Sequence, residues 1–164
     1  MNKIAVIRSG GQTGADRAAL DVARAHGITI KGWCPLDGWA EDMPEEPGIR
    51  RLFPELVETP LADVIQRTRW NVRDSDATLI VYPRSSRKSN GAQLTDQYAG
   101  ILGKPHLIVR NERDVDDILD WLEDLVDGLD LNVAGPRASE CPEVYDITAK
   151  LLEAVLKEVN TDAD

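Results

Sequence analysis

The residues best suited to chemistry are Ser9-Gly10-Gly11-Gln12-Thr13-Gly14-Ala15-Asp16. Glycines allow positive φ and let a ligand approach the backbone closely. The first amides of a helix lack partners and sit at the positive end of its dipole, so a glycine turn entering a helix suits a phosphate or carboxylate. Set against G-x-G-x-x-G, Ser9 takes the first glycine's place, and Gly11 and Gly14 match the other two. No Gly-Lys-Ser/Thr follows, so this is not a Walker loop. The same residues also suit a tight strand-to-helix turn that binds nothing, and the motif alone does not choose. A second set, Ser89, Asn90, Gly91 and Thr95, places hydroxyl, amide and glycine at another helix start. Arg84, Arg87 and Lys88 lie just before it, either steering an anion or simply solvated. Arg137, after Gly135-Pro136, offers a guanidinium near these corners, for a phosphate or for a surface ion pair.

Those residues can meet only if the chain brings three turns to one edge. Ile4-Ala5-Val6-Ile7 reads as a buried strand, about Lys3 to Arg8. A helix of about Ala15 to His26 follows, and Gly27 stops it. Ile28 to Trp33 reads as a second strand. Thr59-Pro60 reads as a helix start, with Leu61, Val64, Ile65 and Thr68 facing inward. Asp74-Ser75-Asp76 is turn chemistry ahead of a third strand, Ala77 to Tyr82. A helix from Gly91 to Leu102, a strand at His106–Val109, a helix over Asp114–Asp127, a strand at Leu129–Val133 and a last helix from Val144 complete the alternation. Residues 161–164 read as a frayed tail. Apolar strands alternating with helices predict an α/β fold. It is a single Rossmann-like, doubly wound domain over residues 1–160, with about five parallel strands and helices on both faces. The strand order expected is 2-1-3-4-5, with ligand at the carboxyl edge where the first and third strands meet. Residues 34–59, rich in proline and without periodicity, read as a lid-like loop over the first glycine turn. Trp33, Trp39 and Phe53 either pin that loop or stack on a ring.

Composition narrows the partners. With 19 Lys and Arg against 29 Asp and Glu the formal charge is −10, which argues against nucleic acid and anionic membrane. No apolar run approaches the roughly 20 residues that span a bilayer. Met1-Asn2-Lys3 runs straight into a strand without a signal-like segment, so Cys34 and Cys141 are expected reduced, in the cytoplasm. Two cysteines without C-x-x-C spacing, and isolated His26 and His106, suggest no metal site.

Several segments together resemble the molybdenum-cofactor carrier family, also described as circularly permuted SLOG proteins of Rossmann-like fold. They are SGGQTGADRAALD at 9–21, GWCP at 32–35, AED at 40–42, ETP at 58–60, RTRWNVRDSDATLI at 67–80, GAQLT at 91–95, GKP at 103–105 and LNVAGPRAS at 131–139. The resemblance implies an oligomeric protein with a pocket for a pterin phosphate, such as the molybdenum cofactor, or a nucleotide. Related SLOG proteins of the Lonely-guy type split base from ribose 5-phosphate with P-G-G-x-G-T-x-x-E. Here Ser9 replaces the proline, Thr13 and Gly14 exchange types, and Arg17 stands where the catalytic Glu would be. Two readings follow. In one, the chain binds or carries an anionic heterocycle: the amides of Gly10, Gly11, Gln12 and Thr13 cradle phosphate, Ser89 and Asn90 add donors, Arg137 balances charge, and Asp16 accepts from a hydroxyl or N–H. In the other it is a nucleotide-processing enzyme such as an N-glycosidase, with Asp16, Arg17 and Glu41 as the catalytic candidates.

Overall fold

The computed structural model describes residues 2–160. The tail expected at 161–164 lies outside the described residues. Strand β1 (Ile4–Arg8) turns through the glycine loop into α1 (Ala15–Ala25), whose Ala18, Ala19, Leu20, Val22 and Ala23 are buried. Strand β2 (Thr29–Lys31) is shorter than the sequence suggests. Gly32, at φ +154 with the Ser9 carbonyl oxygen 2.0 Å from where a Cβ would stand, takes the chain out of the sheet. Trp33–Cys34 then forms β3, which pairs in parallel with β4 (Val57–Glu58) in a separate two-stranded sheet. Next come α2 (Val64–Asp74), β5 (Ala77–Val81), α3 (Asn90–Ile101), β6 (His106–Val109), α4 (Val115–Glu123), β7 (Leu129–Ala134) and α5 (Val144–Val159).

The main sheet is parallel, in the order β2-β1-β7-β5-β6. Helices α1 and α4 pack against α5, and α2 packs against α3. Right-handed crossovers put these two groups on opposite faces of the sheet. The α/β, doubly wound architecture is as expected, but the strand order is not. Counted over the five strands of this sheet it is 2-1-5-3-4. The last strand inserts at the centre, where Leu129, Leu131 and Val133 are buried. Read from β7 through α5 to β1, the sheet is an ordinary 3-2-1-4-5 winding, the first βαβ unit being closed between the two ends of the chain. The end of α5 lies beside β1: Asn160 Oδ1 accepts from the Ile4 amide at 3.0 Å and its Nδ2 donates to the Ile4 carbonyl at 2.7 Å. The switch in winding direction therefore falls between β7 and β5, not between the first and third strands.

Two local expectations also change. Helix α2 begins at Val64, with Asp63 accepting from the Ile65 amide, not at Thr59-Pro60. The Thr59 amide instead donates to the Cys34 carbonyl, continuing the β3–β4 ladder. The inward face of α2 is then Arg67, Asn71 and Val72, while Leu61, Val64 and Ile65 are exposed. Residues 34–59 are not structureless. They contain β3, β4 and 3₁₀ turns at Leu36–Gly38 and Gly48–Arg51, and they bury Cys34, Ala40, Ile49, Phe53 and Leu56. Trp33 packs edge-on against Trp70 at 4.8 Å and Phe53 lies under Arg24 at 4.6 Å, so both pin the segment.

The three corners pack tightly because glycine stands at their contacts. A Cβ at Gly135 would lie 2.3 Å from the Val81 carbonyl oxygen and 2.8 Å from Ala15 Cβ, joining the ends of β7, β5 and α1. Neither neighbour is the free end of a flexible side chain. Gly135→Ala is expected to lower the unfolding free energy by about 2 kcal/mol through overpacking, read as a reduced urea midpoint at unchanged slope.

Candidate functional site

At the carboxyl edge the β1–α1, β5–α3 and β7–α5 corners surround a cavity of about 230 Å³, closed on its remaining side by α2. Gly10, Gln12 and Asp16 line it from the first corner, and Ser89, Asn90, Gly91 and Thr95 from the second. Asn132, Arg137 and Glu140 come from the third corner, and Val64, Arg67, Thr68 and Asn71 from α2. Eight of the residues singled out in the sequence thus meet in one place: Gly10, Gln12, Asp16, Ser89, Asn90, Gly91, Thr95 and Arg137.

Ser9, Gly11, Thr13 and Gly14 build the corner without lining the cavity. Ser9 Oγ donates to the Asp16 carbonyl at 2.9 Å and accepts from the Gly11 amide at 3.2 Å. The Gln12 amide donates to Asp16 Oδ2 at 3.2 Å, and the Thr13 amide to Gln12 Oε1 at 3.0 Å. Three amides expected to cradle phosphate are therefore engaged by the chain's own side chains. Gly14, at φ +77, has the Pro136 carbonyl oxygen 2.4 Å from its missing Cβ, which lets the first and third corners touch. The start of α3 is different. Ser89 Oγ accepts from the Ala92 amide at 3.2 Å, while the Asn90 and Gly91 amides have no partner among the described residues. Unpaired amides at a helix start are anion donors.

Sequence reasoning missed Arg67, Thr68, Asn71 and Asn132. Arg67 is 9% exposed and donates from Nη1 to the Gly10 carbonyl at 2.8 Å. The same Nη1 stands 4.0 Å from Asp16 Oδ2. Gly10 is needed there, since a Cβ would come within 2.9 Å of Arg67 Cδ and Nη1. Burial pushes the Asp16 carboxyl up to about 6, against the pull of Arg67, the Gln12 amide and Arg17. Burial likewise lowers the Arg67 guanidinium, against the pull of Asp16. Asn71 holds the Trp33 amide and carbonyl at 2.8 and 2.9 Å, tying β3 to α2. The i, i+4 spacing of Arg67 and Asn71 on one helix face was the available signal.

Two of the proposed catalytic candidates lie outside the cavity. Arg17 forms a two-armed pair with Asp42 at 2.8 and 2.9 Å. Glu41 accepts from Thr13 Oγ1 at 2.6 Å, from Ser139 Oγ at 2.7 Å and from the Ser139 amide at 3.1 Å. Burial alone would raise the Glu41 carboxyl, but these bonds and Arg137 hold it below the usual range. Glu41 thus fastens the 34–59 segment to the first and third corners. Arg137 Nε stands 3.7 Å from Glu41 and 3.9 Å from Glu140, half exposed, and faces the cavity. Arg84, Arg87 and Lys88 are exposed and do not line it. Burial pushes the Cys34 thiol up to about 11 and raises that of Cys141. No group of three or more His, Cys, Asp or Glu gathers among the described residues.

A solved structure described as a putative molybdenum carrier protein from Syntrophus aciditrophicus SB is 39% identical, with a TM-score of 0.82, over 94% of this chain and 96% of that one. The E-1-hydroxy-2-methyl-but-2-enyl-4-diphosphate reductase from Plasmodium falciparum is 12% identical, with a TM-score of 0.38, over 94% of this chain and 52% of that one. Comparison with curated proteins finds no match. The model of the circularly permutated YpsA SLOG family matches residues 7–156, in keeping with the strand order that runs from β7 into β1, and the chain belongs to that family.

Proposed function

We propose that the chain binds or carries a small phosphorylated heterocycle, acting in the cytoplasm as a homo-oligomer. One observation carries this reading. In a chain of net charge −10, the cavity gathers Arg67, Arg137 and the unpaired first amides of α3. The two guanidiniums offset the two carboxylates of the same lining, Asp16 and Glu140, so the cavity is spared the negative charge of the rest of the chain and its free amides favour an anion there. In this reading the Asn90 and Gly91 amides and Ser89 take the phosphate, and Arg137 balances its charge. Thr95 supports the turn by donating to the Gly91 carbonyl at 2.8 Å, and Asp16 accepts from the ligand. The solved relative is described as a putative molybdenum carrier protein, which favours the pterin phosphate of the molybdenum cofactor as cargo, with a nucleotide as the other ligand. The cavity offers N–H donors, amides and carboxylates, and both thiols are buried, so these residues fit the organic phosphate part of such a ligand.

The enzyme reading keeps one support: the Asp16 carboxyl, held up to about 6 in the cavity, is placed to exchange a proton near neutrality. Thermal denaturation with a pterin phosphate and a panel of nucleoside monophosphates tests both. A ligand at a hundred times its Kd adds about 2.7 kcal/mol to stability. The expected result is a raised Tm with at least one compound and no base or sugar phosphate released. Release of free base would replace the carrier reading with the hydrolase, and no shift with any compound would overturn both.

A further inference from the structure

Arg67 and Asp16 are both more than nine-tenths buried and both face the cavity, yet they do not bond each other. Their nearest atoms, Nη1 and Oδ2, are 4.0 Å apart, beyond hydrogen-bond length. Each also has atoms without a partner among the described residues: Oδ1 of Asp16, and Nε and Nη2 of Arg67. These atoms are open to the cavity and not sealed in the interior, so a ligand entering it can reach them. The gap is fixed from behind. Gln12 holds Oδ2 through its amide, and the Gly10 carbonyl holds Nη1. An acceptor and a donor therefore stand side by side in the wall of the cavity.

We propose that Asp16 and Arg67 together read a heterocyclic lactam edge, a ring N–H donating to Asp16 Oδ1 beside a ring C=O accepting from the Arg67 guanidinium. This rests on the reading of the cavity as a site for a phosphorylated heterocycle and names the ring class. Hypoxanthine, guanine and pterin rings carry this edge. Adenine presents a bare ring nitrogen beside an amino group, which sets acceptor against Asp16 and donor against Arg67. Buried polar groups left unpaired reject a wrong analogue far more strongly than a pocket that is merely too large.

The test compares inosine 5′-monophosphate with adenosine 5′-monophosphate, which share sugar and phosphate and differ only at this edge. Guanosine 5′-monophosphate and a pterin phosphate are further arms, and affinities are measured by calorimetry at pH 7.5. The expected result is at least tenfold tighter binding of the inosine compound, and a preference below threefold in Asp16→Asn, whose side-chain amide can face either edge. Ribose 5-phosphate, which lacks the ring, should bind Asp16→Asn at least as tightly as the wild type, since the variant removes a negative charge from the cavity; weaker binding would mean that Asp16 holds the sugar and would overturn the lactam assignment. Relative affinity of the guanosine and pterin arms tells which lactam source is preferred. Equal or tighter binding of the adenosine compound would overturn the lactam assignment while leaving the binding reading intact. If no compound binds, the binding reading falls and the assignment with it.

Discussion

Replacing Arg67 by alanine is expected to lower the unfolding free energy by about 3 kcal/mol at pH 7.5, because it strips a buried carboxylate of its counter-charge. The Arg67 side chain does two things at once. Nη1 satisfies the Gly10 carbonyl at 2.8 Å, at the entrance of the glycine turn. The guanidinium also lowers the Asp16 carboxyl against the larger upward push of burial. Removing it leaves an unpaired carbonyl and an unbalanced charge, each costing more than a satisfied group contributes. The coupling is measurable by a double-mutant cycle. In an Asp16→Asn background the same Arg67→Ala change should cost about 1–2 kcal/mol less, because no buried charge is orphaned. Urea denaturation of the four proteins gives the cycle directly. Costs equal in both backgrounds would show that Arg67 acts only as a strut under Gly10. Calorimetry with inosine 5′-monophosphate should show at least tenfold weaker binding to Arg67→Ala as well, since the cavity loses its most buried cation.

The contrast between Arg67 and the glycine loop explains how much of the site was legible. Apolar runs such as Ile4–Ile7 and Ala77–Val81 announce buried parallel strands, and glycines between strand and helix announce a ligand edge, because both signals are local. The identity of the neighbouring strand is not local. Short connections suggest sequential pairing, yet β7 enters the centre of the sheet through contacts that join residues more than a hundred positions apart, such as Arg8 with Asp130 at 2.9 Å. Helix α2 was misread for a related reason. Apolar periodicity points to Leu61, Val64, Ile65 and Thr68 as its inner face, whereas the helix buries Arg67, Asn71 and Val72, and of the four Leu61, Val64 and Ile65 are exposed while Thr68 lines the cavity. A helix that lines a polar cavity inverts the usual rule. The fate of the first corner's amides was likewise invisible. Whether Ser9, Gln12 and Asp16 bond their own backbone or leave it free for a ligand depends on side-chain conformation, not on residue type.

The stability of Asp16→Asn relative to the wild type is expected to rise as the pH rises from 4 to 7.5, by about 2–3 kcal/mol over that range, on top of any constant offset. Burial pushes the Asp16 carboxyl up to about 6 in the folded chain, against about 3.9 for a free aspartate in the unfolded chain. The folded state thus binds a proton more tightly than the unfolded state. The stability it gains from a protonated Asp16 is fully present below about pH 3.9 and is lost as the pH passes through 6. About two pKa units at 1.36 kcal/mol each set the size of the loss. Asparagine does not titrate, so it escapes this loss. Glu41, Asp42 and Asp74 titrate below their usual values and act in the opposite direction, but they are common to both proteins and cancel in the comparison. Urea denaturation of wild type and variant at pH 4, 5, 6 and 7.5 measures the effect. A constant difference across that range would mean that burial does not penalise the Asp16 charge. A cost carried by a single carboxylate in a cavity makes sense if a ligand relieves it. A donor hydrogen-bonded to Asp16 favours the charged form, so saturating inosine 5′-monophosphate should flatten the wild-type dependence toward that of the variant.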